Sequence, residues 1–254
     1  MPAIDATLMP LAAEAGRLPL AHSEAHVWTL ADTPGDPARY LPVLDAGERA
    51  RATRFKFETR RREYIAAHGL LRVALSRYDG RPPAAWRFTA EPGGRPIVAG
   101  RAGETNHLFF SLSHAAGRAL VAIAREPAIG IDLEGDASLA RMAEVAPRIL
   151  TPREAAEWKR APDATAAARF ALARWTLKEA YAKGRGLGLK LDFSRFGFAE
   201  IEGAWRLDAP PADEARPGAW RFFSFAPWPT AHAALAMRPA RGGDVAWRLL
   251  RVTP

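Results

Sequence analysis

Apolar positions along the chain change period several times, and each change predicts an element. Over residues 60–78, Ile65, Leu70, Leu71 and Leu75 recur at helical spacing, opened by Thr59 and stopped by Asp79-Gly80. Upstream, Asp45 and Glu48 form a D-x-x-E box that starts another helix. Thr151-Pro152-Arg153-Glu154 has a capping Thr, a Pro at the first helical position and a Glu three residues after the cap, which predicts a helix start. A longer helix is expected from the cap Asp163 to Gly184, with Phe170, Ala173, Leu177, Ala180 and Tyr181 on one stripe and Gly186 and Gly188 following. Short runs at 26–30, 86–89, 96–98, 107–113, 119–124, 128–134, 196–201, 205–207, 220–225, 231–237 and 245–252 read as strands. Residues 1–24 carry little pattern and read as a loose arm. A Pro/Gly/Asp loop runs through Pro37, and the Pro- and charge-rich residues 208–218 read as a mobile surface excursion.

Strand, then helices bearing Arg and Glu, then several strands: this order occurs twice, and 45–75 loosely resembles 151–183. The expectation is an α+β fold of two similar, duplicated lobes. Each would be a small antiparallel sheet with packed helices, and the active site would lie in the cleft between them. With Arg125-Glu126-Pro127 as the junction, the lobes are 1–125, including the arm, and 126–254.

Composition narrows the class. No apolar run approaches the roughly 20 residues that cross a bilayer. Residues 1–16 hold Asp5 and Glu14 and no basic segment, unlike a secretory leader. The absence of cysteine excludes disulfides, thiolate metal sites and a Cys nucleophile. The expected compartment is the cytoplasm, with no membrane association. A net charge of +8, from 36 Lys+Arg against 28 Asp+Glu, favours a polyanionic partner.

Four stretches carry candidate chemistry. On the helix after Asp163, Glu179 lies opposite the apolar stripe, with Trp175 one turn before it and Lys183 one turn after. A Glu-x-x-x-Lys pair is ordinarily a solvated surface pair; a Trp beside it points to a covered face, as at a cleft wall. In Ala128-Ile129-Gly130-Ile131-Asp132-Leu133-Glu134, alternation places Asp132 and Glu134 on one side. Two such carboxylates suit Mg²⁺ rather than zinc, or else lie on a solvent-facing edge strand. Ser113-His114 ends a strand with no triad partner, so serine nucleophilic catalysis is discounted. Arg95 projects from the tight turn 91–96, and Arg60, Arg61 and Arg62 form a basic run that reads first as a solvated face.

Ser113-His114, Gly130-Ile131-Asp132-Leu133-Glu134 and Trp175-Thr176-Leu177-Lys178-Glu179-Ala180-Tyr181-Ala182-Lys183 together resemble the 4′-phosphopantetheinyl transferases of the two-lobed, surfactin-synthetase-activating type. The resemblance covers roughly residues 45–195 and implies transfer of phosphopantetheine from coenzyme A to a serine of an apo acyl or peptidyl carrier protein. Adenosine 3′,5′-bisphosphate would leave. It implies Mg²⁺, with Mn²⁺ as a substitute, held by Asp132, Glu134 and Glu179. Glu179 would be the base, directly or through water, with Lys183 and Asp132 beside it in catalysis. Coenzyme A would meet Ser113, His114, Arg95, Lys178 and Lys183, and Arg51 and Arg62 on its 3′-phosphate side. The partner would be an acidic carrier, the enzyme a monomer, and nucleic acid no ligand. Two other classes share features: a basic phosphate- or nucleic-acid-binding module and a Mg²⁺-dependent phosphohydrolase.

Overall fold

Two five-stranded sheets, each with one long helix against it, and a two-stranded ribbon make up the fold of the described residues. The computed structural model describes residues 6–10, 17–30, 37–100 and 108–253. In chain order the elements are β1 (Ala6–Pro10), β2 (Glu24–Leu30), α1 (Ala46–Ala52), α2 (Glu58–Asp79), β3 (Phe88–Ala90), β4 (Pro96–Val98), β5 (Phe109–Ala115), β6 (Arg118–Ala124), β7 (Ile129–Gly135), α3 (Leu139–Ile149), α4 (Pro152–Trp158), α5 (Ala164–Gly184), β8 (Gly197–Ile201), β9 (Ala204–Ala209), β10 (Arg221–Phe225), β11 (Ala231–Met237) and β12 (Ala246–Thr253). They divide into two units: Met1–Pro127 with Val245–Pro254, and Ala128–Asp244.

In the first unit the sheet order is β1-β12-β2-β6-β5. β12 runs parallel to both β1 and β2, while β2, β6 and β5 are antiparallel. The helix α2 buries Ile65, Leu70, Leu71, Ala74 and Leu75 against Trp28, Phe110, Val121 and Ile123 of the sheet. Gly80 ends α2 at φ 78°, a conformation that favours glycine. The capping box at Asp45 forms, and the fully buried Arg72 supports it by donating to Glu48 and Asp45.

The second sheet, β7-β11-β10-β9-β8, is antiparallel throughout. The helix α5 lies on β7 and β11. Tyr181 packs among Phe196, Phe198, Trp220 and Phe222, and the burial of Arg174, Thr176, Lys178 and Ala182 covers the helix on more than its apolar stripe. Asp163 caps α5 by accepting from Ala166 N, and the Thr151 capping box forms.

Several expectations are corrected. Residues 245–254 belong to the first unit, because β12 completes the β1–β2 region rather than the second sheet. The first sheet is therefore mixed, not antiparallel. The supposed loose arm holds β1 and the start of β2 within that sheet, and the rest of it up to residue 16 lies outside the described residues. Most of the loop before Pro37 and the start of the 107–113 run also lie outside them. Helix α3 went unforeseen: its spacing of Met142, Ala146 and Ile149 is helical, but Pro147 interrupts it and no acid follows the N-cap Ser138 in the first turn. The excursion at 208–218 is anchored. Glu214, 8% exposed, accepts from Tyr181 Oη and Trp220 Nε1, each at 2.9 Å, and from Arg238 Nη1 at 3.0 Å.

One glycine sets the spacing of β7 and α5. A Cβ on Gly130 would lie 1.9 Å from Ala180 O and 2.4 Å from Gly184 N, both helix backbone atoms that cannot turn aside. Gly130→Ala is therefore expected to destabilise the protein by about 3 kcal/mol in denaturant unfolding, at the upper end for overpacking. A loss below about 0.5 kcal/mol, the level of an ordinary surface change, would contradict this spacing.

Candidate active site

Because side chains alternate across a strand, Gly130, Asp132 and Glu134 share the face of β7 that meets α5. Asp132 is 5% exposed, and its Oδ1 accepts from Lys183 Nζ at 2.7 Å. Lys183 Nζ also donates to Ile131 O at 3.1 Å, which pins the lysine along the strand. Glu134 Oε1 accepts from Trp175 Nε1 at 3.0 Å and from Arg141 Nη2 at 2.8 Å, while its Oε2 accepts from Ser138 Oγ. Trp175 thus covers this face of the helix and holds a carboxylate, which is why an indole accompanies the charge pair.

Glu179 lies one turn from both Trp175 and Lys183. Burial, with the negative charges of Asp132 and Glu134, outweighs the pull of Lys183 and pushes its carboxyl up to about 7. A buried carboxylate whose proton affinity is raised by two acidic neighbours suits a hard divalent cation, which takes oxygen ligands and neutralises such a group. Among the described residues no three acidic or His side chains form a ready-made metal cluster. The two oxygens of Glu134 already serve three donors, one of which a metal would displace.

Lys178 requires a correction. Fully buried, it donates to Ile149 O, to Glu154 Oε2 at 2.6 Å and to Phe193 O at 2.8 Å. An ammonium has three donors, so none remains for a phosphate of coenzyme A. Burial lowers its pKa to about 8, against the raising charge of Glu154. Glu154 also receives Thr151 N and Phe198 N, and so ties α4, α5 and β8 together. Sequence reasoning saw it only as half of a capping box.

The remaining candidates belong to the first unit. Ser113, 7% exposed, and the half-buried His114 end β5 at the turn to β6. His114 Nδ1 stands 3.7 Å from Glu63 Oε2. Arg95 is half-buried in the β3–β4 turn, where burial lowers its pKa against the charge of Glu91. Arg51 is exposed in the last turn of α1, 6.0 Å from the Tyr64 ring centroid, and lines an open hollow of about 530 Å³ with Gly47, Ala50, Arg54 and Phe55. Arg62 is exposed on α2. Arg141, Ser138 and Glu63 escaped sequence reasoning; only the isolation of Glu63 behind three arginines could have marked it.

Residues 128–236 match a family profile described as the 4′-phosphopantetheinyl transferase superfamily. The chain is 35% identical over 223 residues to the 4′-phosphopantetheinyl transferase HetI of a Nostoc species, across 87% of this chain and 90% of that protein. It is 26% identical over 163 residues to a 4′-phosphopantetheinyl transferase of Bacillus subtilis, across 64% of this chain and 69% of that one. Among solved structures, the holo-[acyl-carrier-protein] synthase of Neisseria meningitidis aligns with 44% of this chain and 96% of its own at 22% identity. Its TM-score of 0.38 is too low to argue from.

Two predictions follow from the charges. Since the carboxyl of Glu179 is raised from 4.5 to about 7, the fold favours its protonated form, and metal-free stability falls as pH rises through that window. Glu179→Gln should then raise the melting temperature in chelator at about pH 8 and change it little near pH 5. A lower melting temperature at the higher pH would contradict the carboxylate repulsion. Lys178→Met leaves Glu154 charged and buried with only the more distant Arg174, at 3.7 Å, as a cation and should cost about 3 kcal/mol, the lower end for a broken buried pair. Lys183→Met should cost well under half of that in the same unfolding assay, and equal losses would refute the division between the two lysines.

Proposed function

The chain belongs to the 4′-phosphopantetheinyl transferase superfamily and is an enzyme, and on that premise we propose that it moves the phosphopantetheine arm of coenzyme A onto a serine of an apo acyl or peptidyl carrier protein. The observation that supports this most directly is the strand–helix contact at which Lys183 reaches Asp132, Trp175 reaches Glu134, and both acids act electrostatically on Glu179.

In the proposed reaction the serine Oγ bonds to the β-phosphorus of coenzyme A as the pyrophosphate P–O bond breaks, and adenosine 3′,5′-bisphosphate leaves. Glu179 takes the serine proton, directly or through a water. Its raised proton affinity near 7 suits a base that must accept a proton at neutral pH. Lys183, held beside Asp132, presents positive charge to the leaving phosphate. Asp132, Glu179 and, once a donor is displaced, Glu134 would hold Mg²⁺ or Mn²⁺. When bound, that ion supplies charge neutralisation at the pyrophosphate. Ser113, His114 and Arg95 contact the phosphates of coenzyme A, and Arg51 and Arg62 serve its 3′-phosphate side; Lys178 is not among these contacts. The net charge of +8 suits an acidic carrier and would speed encounter.

Mass spectrometry of an apo carrier incubated with the protein, coenzyme A and Mg²⁺ should show the gain of one phosphopantetheinyl group. Glu179→Gln should slow that gain by about 10²–10⁴-fold, the range for loss of a general base. Release of phosphate without labelling of the carrier would favour a phosphohydrolase instead, and undiminished transfer by the variant would remove Glu179 from the role of base.

A further inference from the structure

Glu63 of α2 is a buried carboxylate that the proposed reaction does not use. Its side chain is only 6% exposed, although it follows the run Arg60-Arg61-Arg62. One oxygen, Oε1, accepts from Gly117 N at 2.7 Å. The other, Oε2, accepts from Arg60 Nη1 at 2.9 Å and faces His114 Nδ1 at 3.7 Å. Ala116 and Gly117, at φ 51° and 74°, form the left-handed turn that joins β5 to β6, one residue beyond His114. A single carboxylate on a helix therefore fastens the turn and places a negative charge beside the imidazole that precedes it.

Charge gives this contact a chemical consequence. An ionised carboxylate taken out of water needs nearby cations, and the side chain of Arg60 is itself 56% exposed. The half-buried imidazole of His114 is a second basic group, 3.7 Å from it. Neutral imidazole has one donor nitrogen, so an Nδ1–H turned toward Glu63 would leave Nε2 an acceptor, which repels a phosphate oxygen. A carboxylate close to Nδ1 favours the protonated ring, in which both nitrogens donate.

We propose that Glu63 is a positioning residue for coenzyme A. It holds His114 in place as an imidazolium and fixes the turn behind it, so that Nε2–H donates to a phosphate oxygen. The inference rests on the reading of His114 as a phosphate contact given above. Its test separates the two.

Glu63→Gln keeps the shape and an oxygen that can accept from Gly117, and removes only the charge. By calorimetry the Kd of coenzyme A should rise about fivefold to tenfold, as for contacting residues that couple. The KM for coenzyme A should rise with it, while kcat changes by less than about twofold, as for binding lost equally from ground and transition states. The ¹⁵N spectrum of His114 at neutral pH should change from a doubly protonated to a singly protonated ring. In a His114→Gln background the same change at Glu63 should have almost no further effect on Kd. If Glu63→Gln leaves both Kd and the imidazole spectrum unchanged while His114→Gln weakens binding, the role of Glu63 is refuted and that of His114 stands. If His114→Gln leaves binding intact, the reading of His114 fails and this inference fails with it. Should the Gln variant melt too low to assay, Glu63→Asp, which retracts the charge, must weaken binding and alter the ring spectrum, or the proposal is overturned.

Discussion

Gly130 stands so close to α5 that the helix backbone occupies the space a side chain would need. The arrangement of the candidate site depends on this approach. With no Cβ at 130, the strand settles against the carbonyl of Ala180 and the amide of Gly184, and alternation turns Asp132 and Glu134 toward the same helix. The two carboxylates then face Lys183 and Trp175, and both act electrostatically on Glu179. A larger residue would push the strand away and relax the repulsion that raises the proton affinity of Glu179. Stability and chemistry are opposed here, as they often are where like charges are held together.

Two lysines on α5 show how the same side chain acquires different work. Lys178 and Lys183 are five residues apart, which at about 100° per residue turns them roughly 140° from one another. Lys178 points into the packing of α4, β8 and the 193–196 segment, where Glu154 and two carbonyls consume every donor. Lys183 points to β7 and stays half-exposed beside Asp132. One is a fastener for the helix and the other is a charge within reach of a ligand. A motif that contains both does not say which is which; helical phase together with the partners does.

Features coded by neighbouring residues were legible from the chain. The capping boxes at Asp45 and Thr151, the cap at Asp163 and the stop at Gly80 each depend on contacts within a few positions. The shared face of Asp132 and Glu134 follows from the period of a strand, and the covered face of Glu179 was signalled by Trp175. Features coded by distant pairing were not legible. β12 reads like any other strand near β11, yet it hydrogen-bonds to β1 and β2 more than 200 residues earlier in the chain. The loop around Glu214 has the composition of a free excursion, and only the tertiary positions of Tyr181, Trp220 and Arg238 make it an anchor. Buried ionic groups such as Glu154 and Arg72 look like surface residues in sequence, because what neutralises them comes from other elements. The functional motifs survived this limit because they combine local pattern with a family resemblance.

The most direct test of the strand–helix contact as the origin of the site is an NMR titration of the Glu179 side-chain carboxyl in metal-free protein. The midpoint should lie near 7, as burial and its acidic neighbours dictate, and should fall in Asp132→Asn and on addition of Mg²⁺. A midpoint at the ordinary 4.5, indifferent both to that substitution and to the ion, would show that these carboxylates do not share a site.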